Sequence, residues 1–444
     1  MLRHSSLDVV RVSVRAALAV LIVLAVAPPA RSADDLYWNN SAGGKAWVST
    51  NWTPNDVPDP DDTLIWDNLG SPWIYTVAFD ATVDDSQQMR FRKSDVYLDF
   101  QDPHTTGDVY VSYVAGDYGR VWIASGHLTA GIVNVGYHDT GLLTVSGYDA
   151  SLDASTLRVG RFAGDGTVDV NGGGVVSVSG TTILGYSTTG PTGVLNVDGC
   201  VWDGSQYRRS TFSTNTIYVA DCTDAVGELH VSDGGLVEAD HLHAGTTIAS
   251  GTATVTVSGY SNDYPEIDLS GNLYVGSEGG TGEMTLDNYG RVHIAGTTYL
   301  GAASGNTGTL TLGSGADLYT GALAIEATGS LVFDGGSLYV EGGALTDVQA
   351  SRTINDGFLY FRGGATADVY ASGLTLGATD DANLYVQSGS AVTTGAAIVG
   401  DGAVYTSHAY VNGEAAGVGS AWHVTGALQV GKTSRGDLNV TAGG

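Results

Sequence analysis

The chain has 444 residues, of which 64 are glycine and only 9 are proline. Glycine is about twice as common as usual, and the low proline content excludes a collagen-like or proline-rich chain. Acidic residues outnumber basic residues by 47 to 18, so the formal net charge is −29 although charged residues make up only 15%. This balance argues against nucleic acid or an anionic membrane surface as a partner.

Residues 1–33 have the pattern of a secretory signal peptide. Arg3, Arg11 and Arg15 form a basic start. The apolar run that follows, residues 16–27, is shorter than the ~20 residues of a membrane span. We therefore expect cleavage near residues 32–33 and an exported mature protein without membrane insertion, and a retained anchor is the alternative.

Residues 34–100 are rich in tryptophan and lack a clear repeat. The tryptophans of this segment are Trp38, Trp47, Trp52, Trp66 and Trp73. We predict an N-terminal cap that closes the repeats following it, because an exposed repeat end needs cover and indoles bury much apolar area. The alternative is a carbohydrate-binding module in which exposed indoles stack on sugars.

The same segment holds a group of aspartates, Asp56, Asp59, Asp61 and Asp62. Their carboxylates would supply the oxygen ligands that calcium prefers. A solvated turn around the neighbouring prolines is the interpretation that we adopt, so we predict no cofactor.

Residues 101–444 repeat one short phrase about every 25 residues. An apolar-x-apolar triplet is followed by glycine, and a loop then leads to Gly-x-apolar-x-apolar, as in residues Val133 to Val145. The anchor glycines that end the triplets are Gly136, Gly160, Gly185, Gly245, Gly276, Gly301, Gly377, Gly400 and Gly431, and Ala220 stands at a degenerate anchor. The period of two within each phrase indicates short strands that end at glycine turns.

A unit of this length cannot bury its own apolar face, but stacked units can. The repeats therefore predict an all-β fold, a right-handed parallel β-helix with about 25 residues per coil and ~4.8 Å between coils. A β-propeller or sandwich array is the alternative, and a propeller needs longer strands in units of ~40–45 residues.

Alignment of the anchors places four rings at equivalent positions on successive coils: Tyr218, His243, Tyr274 and Tyr299. They are predicted to form an outward-facing aromatic ladder, and Tyr339, Tyr360 and Tyr385 repeat a similar phrase later. We identify the first four as candidate binding residues, since an exposed aromatic stripe can contact sugars or a partner. Plain stacking between strands is the alternative.

An insertion near residue 205 interrupts the repeat and contains Arg208 and Arg209, a second candidate binding site because solenoid insertions become surface loops. It lies between the two cysteines, Cys200 and Cys222. Export permits a disulfide between them, worth ~3 kcal/mol on the chain-entropy model. Two thiols at unmatched positions are the alternative.

We predict no metal site and no catalytic residues. Asp240, His241 and His243 would suit a metal if His230 or Asp233 completed the ligands, but a solvated outer face is the interpretation that we adopt. Adjacent acids occur at Asp61-Asp62, Asp84-Asp85 and Asp380-Asp381 without the histidine or basic companions of sugar-cleaving sites.

The longest repeat phrase runs from Val411-Asn412-Gly413 through Trp422 and Gly431 to Gly444. Its order resembles the β-helix repeats of bacterial autotransporter passengers and related surface proteins, and Trp38-Asn39-Asn40 resembles their opening motif. The resemblance implies an extracellular or outer-membrane-associated location on a Gram-negative-type bacterium. Because the sequence stops within a repeat, we expect the coils to continue beyond it.

Together these features predict an exported structural or adhesive protein that presents a repetitive face to polysaccharide or to another cell. The alternative is a polysaccharide-active lyase or hydrolase on a β-helix scaffold.

Overall fold

The computed structural model is all-β, a parallel β-solenoid of about 15 turns with about 25 residues per coil, which confirms the predicted fold class. The residues that it describes are 34–40, 42–46, 48–67, 74–80, 85–187, 190–202, 204–245, 251–260, 264–276, 280–302, 306–349, 351–370, 372–401 and 406–444. The predicted signal peptide, Trp47 and Trp73 lie outside these ranges.

In the described residues of the first coils, one 3-10 turn, Ser49–Asn51, accompanies the strands. These are β1 (Asp35–Trp38), β2 (Gly44–Lys45), β3 (Trp52–Thr53), β4 (Thr63–Trp66), β5 (Ile74–Phe79), β6 (Ser86–Phe91), β7 (Ser94–Phe100), β8 (His104–Val111) and β9 (Gly119–Val135).

The central coils follow the same plan. Their strands are β10 (Gly141–Ser146), β11 (Ala150–Arg161), β12 (Gly166–Asn171), β13 (Val175–Tyr186), β14 (Thr192–Asp198), β15 (Cys200–Trp202), β16 (Tyr207–Arg209), β17 (Thr211–Val219), β18 (Val226–Ser232), β19 (Leu236–Ala244), β20 (Thr252–Ser258), β21 (Glu266–Leu269), β22 (Leu273–Val275), β23 (Thr281–Asp287), β24 (Arg291–Leu300), β25 (Gly308–Leu312) and β26 (Asp317–Ile325).

The last coils are built from shorter strands. These are β27 (Gly329–Phe333), β28 (Ser337–Glu341), β29 (Ala344–Asp347), β30 (Ser351–Ile354), β31 (Gly357–Arg362), β32 (Thr366–Asp368), β33 (Gly373–Leu376), β34 (Ala382–Gln387), β35 (Ala391–Thr394), β36 (Ala397–Val399), β37 (Thr406–Asn412), β38 (Glu414–Ala415), β39 (Val418–Gly419), β40 (Ala421–Val424), β41 (Leu428–Val430) and β42 (Arg435–Val440).

Two parallel ladders run along the central part of the rod. The first ladder pairs β10, β12, β14, β18, β20, β23, β25 and β27 in succession. The second ladder pairs β9, β11, β13, β17 and β19, and each of its strands bends near its middle to form two sides of the coil. In-register pairing places similar side chains of successive coils next to one another, so Leu143, Val168 and Leu195 form one column of the core.

Alternation along each strand separates the core from the surface. In β12, Val168 and Val170 are fully buried while Asp169 between them faces outward. Burial of each such side chain contributes ~1.5–3 kcal/mol to the stability of the fold, but only after the next coil covers the side chain. The period of two that predicted strands thus corresponds directly to the burial pattern.

The anchor positions share one backbone conformation. All nine predicted anchor glycines have φ between 63° and 79°, in the left-handed region. Ala220, the degenerate anchor, has the same conformation with φ of 60°. Glycine recurs there because it adopts positive φ without the steric cost that a Cβ brings.

The tryptophan-rich segment forms the first coils of the same ladders. β1 pairs in parallel with β4, and β4 with β6, while the short strand β3 pairs with β1 in the antiparallel sense. Trp38, Trp52 and Trp66 are buried and pack edge to face, with ring centroids 5.0 and 5.5 Å apart. These indoles therefore fill the core, and the architecture does not change at the boundary predicted at residue 100, since β7 and β8 both pair with β9.

The first ladder stops at β27, and β30, β33, β36 and β41 form a separate parallel sheet. Side chains bridge the break. Arg352 donates from Nη1 to the carbonyl oxygen of Leu331 at 2.9 Å, and Gln349 donates from Nε2 to that of Gly329 at 3.0 Å. Arg352 also pairs with Asp347, and both side chains are buried.

A buried histidine in β8 gives the first coils a pH-dependent stability. His104 packs against Phe79 and Phe100, with ring centroids 4.9 and 5.9 Å away. Burial lowers the pKa of His104 to about 4, because the charged imidazolium would lose its hydration, and the nearby Asp85 opposes this only partly. The neutral ring is therefore the form compatible with the fold.

We expect His104→Phe to reduce the loss of stability of the N-terminal coils in acid. Between pH 6.5 and 4 the unfolded chain binds a proton that the folded His104 refuses, so unfolding becomes easier as the pH falls. At pH 4.5 this amounts to about 2.5 kcal/mol. Urea unfolding at pH 7.5 and 4.5, followed by tryptophan fluorescence, measures it, and an unchanged pH dependence in the variant would contradict this role.

Candidate functional site

The four predicted ladder residues form a continuous column. Tyr218, His243, Tyr274 and Tyr299 are register partners on successive coils. Their ring centroids are 4.8, 4.4 and 5.0 Å apart along the column. The rings are half-buried on the outer face of the second ladder.

A second, longer column lies on the other side of the bend in the second ladder. It contains six rings, with neighbouring centroids 4.4–4.8 Å apart: His293, Tyr319, Tyr339, Tyr360, Tyr385 and Tyr410. Partial burial raises the pKa of Tyr319 to about 12 and also raises the pKa of Tyr385. Arg362 lies over the ring of Tyr339, with its guanidinium carbon 4.2 Å from the centroid.

Both columns use their ring faces internally. A ring between two neighbours at about 4.4 Å has no face left for a sugar, and only its edge reaches solvent. Such stacking contributes ~0.2–1 kcal/mol per pair to the sheet. The geometry therefore fits the stacking alternative better than a sugar-binding platform.

The insertion near residue 205 is an antiparallel hairpin of β15 and β16. Arg208 lies on its exposed part. Arg209 turns toward the solenoid, where it donates to the carbonyl oxygens of Gly234, Gly235 and Tyr264 at 2.8–2.9 Å and pairs with Glu266 at 2.6 Å. Arg209 is thus a strut that fixes the hairpin to the next two turns.

No disulfide joins Cys200 to Cys222. Cys200 lies at the base of the hairpin, before β17, and Cys222 lies in the turn after β17. Because β17 forms two sides of the coil, each on the order of 10 Å long, the cysteines occupy different corners. A separation of that order exceeds the ~7 Å Cα distance that a disulfide spans, so the geometry favours unmatched thiols over the bridge.

The histidines considered as metal ligands have other partners. His241 accepts the backbone N–H of Asn272 at its Nδ1, at 3.0 Å, and His243 is stacked between Tyr218 and Tyr274. Within the described ranges, no group of three or more His, Cys, Asp or Glu side chains is arranged to hold a metal ion.

The aspartates considered as calcium ligands organise a turn. Asp62 accepts the backbone N–H groups of Asp34 and Asp59 at 3.1 and 2.9 Å, and Asp59 accepts that of Asp61 at 3.1 Å. The sequence suggested a solvated turn. The structure differs in part, because Asp62 is buried. This burial raises the pKa of Asp62, and the two hydrogen bonds oppose the rise.

A groove follows the bend of the second ladder across six coils. Its volume is about 760 Å³, and half of its 16 lining residues carry small hydroxyl or amide side chains, such as Ser177, Ser213 and Asn215, while four are carboxylates and four are apolar. Glu238 and Asp268 are register partners within the groove, with Asp240 beside them. The sequence did not reveal it, because small residues at a bend leave no periodic signal of their own.

The most exposed aromatic residues lie outside the two ladders, in turns and in the hairpin insertion. Trp202 and Tyr207 are 55% and 67% exposed at the hairpin tip, and Tyr260 and Tyr289 are 75% and 44% exposed in turns after β20 and β23. The strand periodicity drew attention to the ladder positions and missed these residues. Their place outside the repeated strand phrases was the signal that would have found them.

Comparisons with known proteins add little beyond the fold. No family model matches the chain, and no curated protein matches it. Among solved structures it is similar to the crystal structure of the TibC-catalysed hyper-glycosylated TibA55-350 fragment, with 15% identity and a TM-score of 0.23, over 83% of this chain and 97% of that chain. A likeness at this level says nothing about function. In the part of the chain that the structure describes, no helix has the length and apolar character of a membrane span.

Proposed function

We propose that this protein is an exported adhesive or structural rod of the bacterial surface that contacts polysaccharide or another cell. The observation that carries the proposal is the groove of about 760 Å³ that crosses six stacked coils. Six coils at ~4.8 Å spacing give a groove on the order of 24 Å long, open to an extended chain.

The lining of the groove suits a polymer of hydroxyl groups. Serine, threonine and asparagine side chains both donate and accept hydrogen bonds, and they repeat from coil to coil as sugars repeat along a chain. The carboxylates of Asp153, Glu238 and Asp268 accept from hydroxyls and repel anionic sugars. A neutral polysaccharide is therefore the partner that we propose for this groove.

The proposed location is the outer surface of a Gram-negative-type bacterium. It is supported by the signal-like segment 1–33, by the acidic, thinly charged composition and by the resemblance of the repeats to surface β-helices. An acidic rod stays soluble, because like charges keep copies apart.

Ser213→Trp is expected to weaken binding to neutral polysaccharide about tenfold or more, since an indole in the middle of the groove blocks it at a cost of ~1.4 kcal/mol or more. Thr285→Trp, on the outer face of the first ladder, is the matched control. Biolayer interferometry on surfaces coated with mannan, xylan and β-glucan measures the effect. Equal binding by the two variants would show that the groove is not the surface that contacts polysaccharide.

A second candidate, a polysaccharide-active enzyme, is favoured by one observation. Glu238 and Asp268 are register partners on adjacent coils. The backbones of adjacent coils are ~4.8 Å apart, close to the ~5–5.5 Å between the two carboxyl groups of retaining glycosidases. Release of reducing sugar from the same polysaccharides would favour this candidate over the adhesive rod.

A further inference from the structure

A patch of arginine and tyrosine side chains lies along the second ladder and its continuation through β8 and β6. We call it the arginine–tyrosine patch and define it by Arg90, Tyr113, Tyr137, Arg158, Arg161 and Tyr186. The guanidinium carbon of Arg90 lies 4.8 Å from the ring centroid of Tyr113, which stacks on Tyr137 at 5.6 Å. The patch extends over five successive coils and shares no residue with the groove at the bend.

Aromatic rings hold the other two arginines of the patch in place. The guanidinium carbon of Arg161 lies 5.0 Å from the ring centroid of Tyr137 and 5.6 Å from that of Tyr186. The guanidinium carbon of Arg158 lies 5.8 Å from the same Tyr186 centroid. Two guanidinium groups of one coil therefore converge on one ring. A cation–π contact attracts a cation to the ring but leaves its charge without a counterion.

The arginines of the patch differ from most other arginines of the rod in their partners. Six arginines elsewhere in the described ranges pair with a carboxylate: Arg92, Arg209, Arg291, Arg352, Arg362 and Arg435. Arg90, Arg158 and Arg161 form no ion pair with any described residue. Arg90 donates from Nε to Gln88 at 2.8 Å, and Arg161 donates from Nη1 to Asn134 at 3.2 Å. Both acceptors are neutral amide oxygens.

The aspartates that adjoin the patch are committed to other hydrogen bonds. Asp108 accepts the backbone N–H of Ile132 and the hydroxyl of Tyr110, each at 3.1 Å. Asp139 accepts two backbone N–H groups at 2.8 and 2.9 Å, and Asp165 accepts one at 2.8 Å. The patch is therefore a place of uncompensated positive charge on a chain whose net charge is −29.

The stability of the fold does not account for this arrangement. The Nε atoms of Arg158 and Arg161 are buried and have no hydrogen-bond partner among the described residues. A buried donor without an acceptor and two like charges side by side both destabilise the free protein. The terminal nitrogens of Arg158 also form no hydrogen bond with a described residue, although the side chain is only half-buried. An anion that contacts them would compensate the charge of both arginines.

The geometry of the guanidinium group and the length of the patch indicate the kind of anion. A planar guanidinium forms two parallel hydrogen bonds with a carboxylate, which makes the contact both strong and directional. Arg90 and Arg158 belong to one column of register partners, three coil steps or ~14 Å apart. Two cationic positions at that distance suit a polymer with repeated carboxylates better than a single small ion. A second copy of this chain is disfavoured, because its net negative charge repels the first.

We propose that the arginine–tyrosine patch binds the carboxylates of an acidic polysaccharide whose units include uronic acids. Arg158 and Arg161 contact one carboxylate, and Arg90 contacts another further along the same polymer. The choice of a polysaccharide rests on the proposed function. The patch adds a surface whose charge preference is opposite to that of the groove, where carboxylates favour neutral sugars.

Calorimetry of the full chain with octagalacturonate tests the proposal, with cellohexaose as the neutral probe and polyglutamate as the acidic peptide. We expect octagalacturonate to bind and added salt to weaken the binding. Arg158→Gln and Arg161→Gln, made separately, should each weaken it about tenfold, a loss of ~1.4 kcal/mol. Arg362→Gln is the matched control, because Arg362 lies 4.2 Å from the ring centroid of Tyr339 but pairs with Glu341. This variant should bind octagalacturonate as the wild type does.

Urea unfolding of the same variants separates binding from folding. We expect Arg158→Gln to keep the wild-type midpoint, because the substitution removes no ion pair. If that variant unfolds, Arg158→Lys decides, since lysine keeps the charge but lacks the planar fork. A stable Arg158→Lys protein with weakened binding supports the carboxylate contact, and one with wild-type binding overturns it.

The remaining outcomes distinguish the patch from the groove. Equal binding of octagalacturonate by wild type, Arg158→Gln and Arg161→Gln overturns the patch, and so does loss of that binding in Ser213→Trp alone. Preferential binding of polyglutamate replaces the polysaccharide with an acidic protein partner. If octagalacturonate does not bind while the chain still binds neutral polysaccharide surfaces, the patch alone is overturned. If neither binds, the proposed function is overturned as well.

Discussion

Arg352→Met is expected to lower the free energy of unfolding of the C-terminal coils by ~3–5 kcal/mol, because it leaves the buried Asp347 carboxylate without its cation. The Asp347 side chain is 0% exposed, and Arg352 Nε and Nη2 lie 2.8 and 2.6 Å from its Oδ2. The variant also loses the hydrogen bond to Leu331 at the break in the first ladder. A charge stranded in the core at such a break has neither water nor a strand to compensate it.

The double variant Asp347→Asn with Arg352→Met is the matched control. Asparagine keeps an acceptor for the backbone N–H of Gln349, which Asp347 receives at 2.9 Å, and it carries no charge. We expect it to recover most of the loss, since replacement of both members of a buried pair is often nearly neutral. Urea unfolding followed by circular dichroism, together with proteolysis of the 330–376 region, measures the stability of both variants. If Arg352→Met alone were as stable as the wild type, the role of the pair would be contradicted.

Gly276→Ala is expected to cost about 2–5 kcal/mol, the sum of left-handed strain and steric overlap. Gly276 has φ of 63°, and a Cβ there would lie 2.0 Å from the carbonyl oxygen of Thr307 and 2.4 Å from its carbonyl carbon. Both atoms belong to the backbone of the next coil, so relief requires the coils to separate. The stacking that creates the core is therefore what makes glycine necessary at the anchor.

Gly364→Ala separates the two contributions. Gly364 has φ of 83°, and no atom lies within 4 Å of the position that a Cβ would take, so its alanine variant suffers the backbone strain alone, ~1–2 kcal/mol. The difference in the urea midpoint between the two variants reports the cost of coil contact. Equal midpoints would mean that the anchor glycines are needed for φ only.

The repeat was predictable because one physical requirement acts on every coil. Each unit must turn sharply at its anchor and present an apolar strand to the next unit, so the same letters recur at the same spacing. This regularity sufficed to place Tyr218, His243, Tyr274 and Tyr299 in one column and to identify Ala220 as an anchor. Periodic positions are visible in a sequence because their neighbours in space are their counterparts in the repeat.

Features that break the repeat were not predictable in this way. The sequence suggested Arg209 as a binding residue, whereas the structure makes it a strut to Glu266, 57 positions along the chain. No periodic signal in the sequence showed that Cys200 and Cys222 lie at different corners of the coil. The buried pair of Asp347 and Arg352 appears only where the first ladder ends. These contacts depend on which turns meet at a corner.

The sequence by itself determined the class of fold, the length of the coil and the positions of its turns, since glycine, apolar alternation and stacking constrain every repeat alike. Only the tertiary structure decided which surfaces are open. Ring faces that looked available in the ladders are covered by neighbouring rings, while Trp202 and Tyr260, outside the pattern, are exposed. Exposure depends on what the adjacent coil places alongside a residue, and that cannot be obtained from the residue's own repeat.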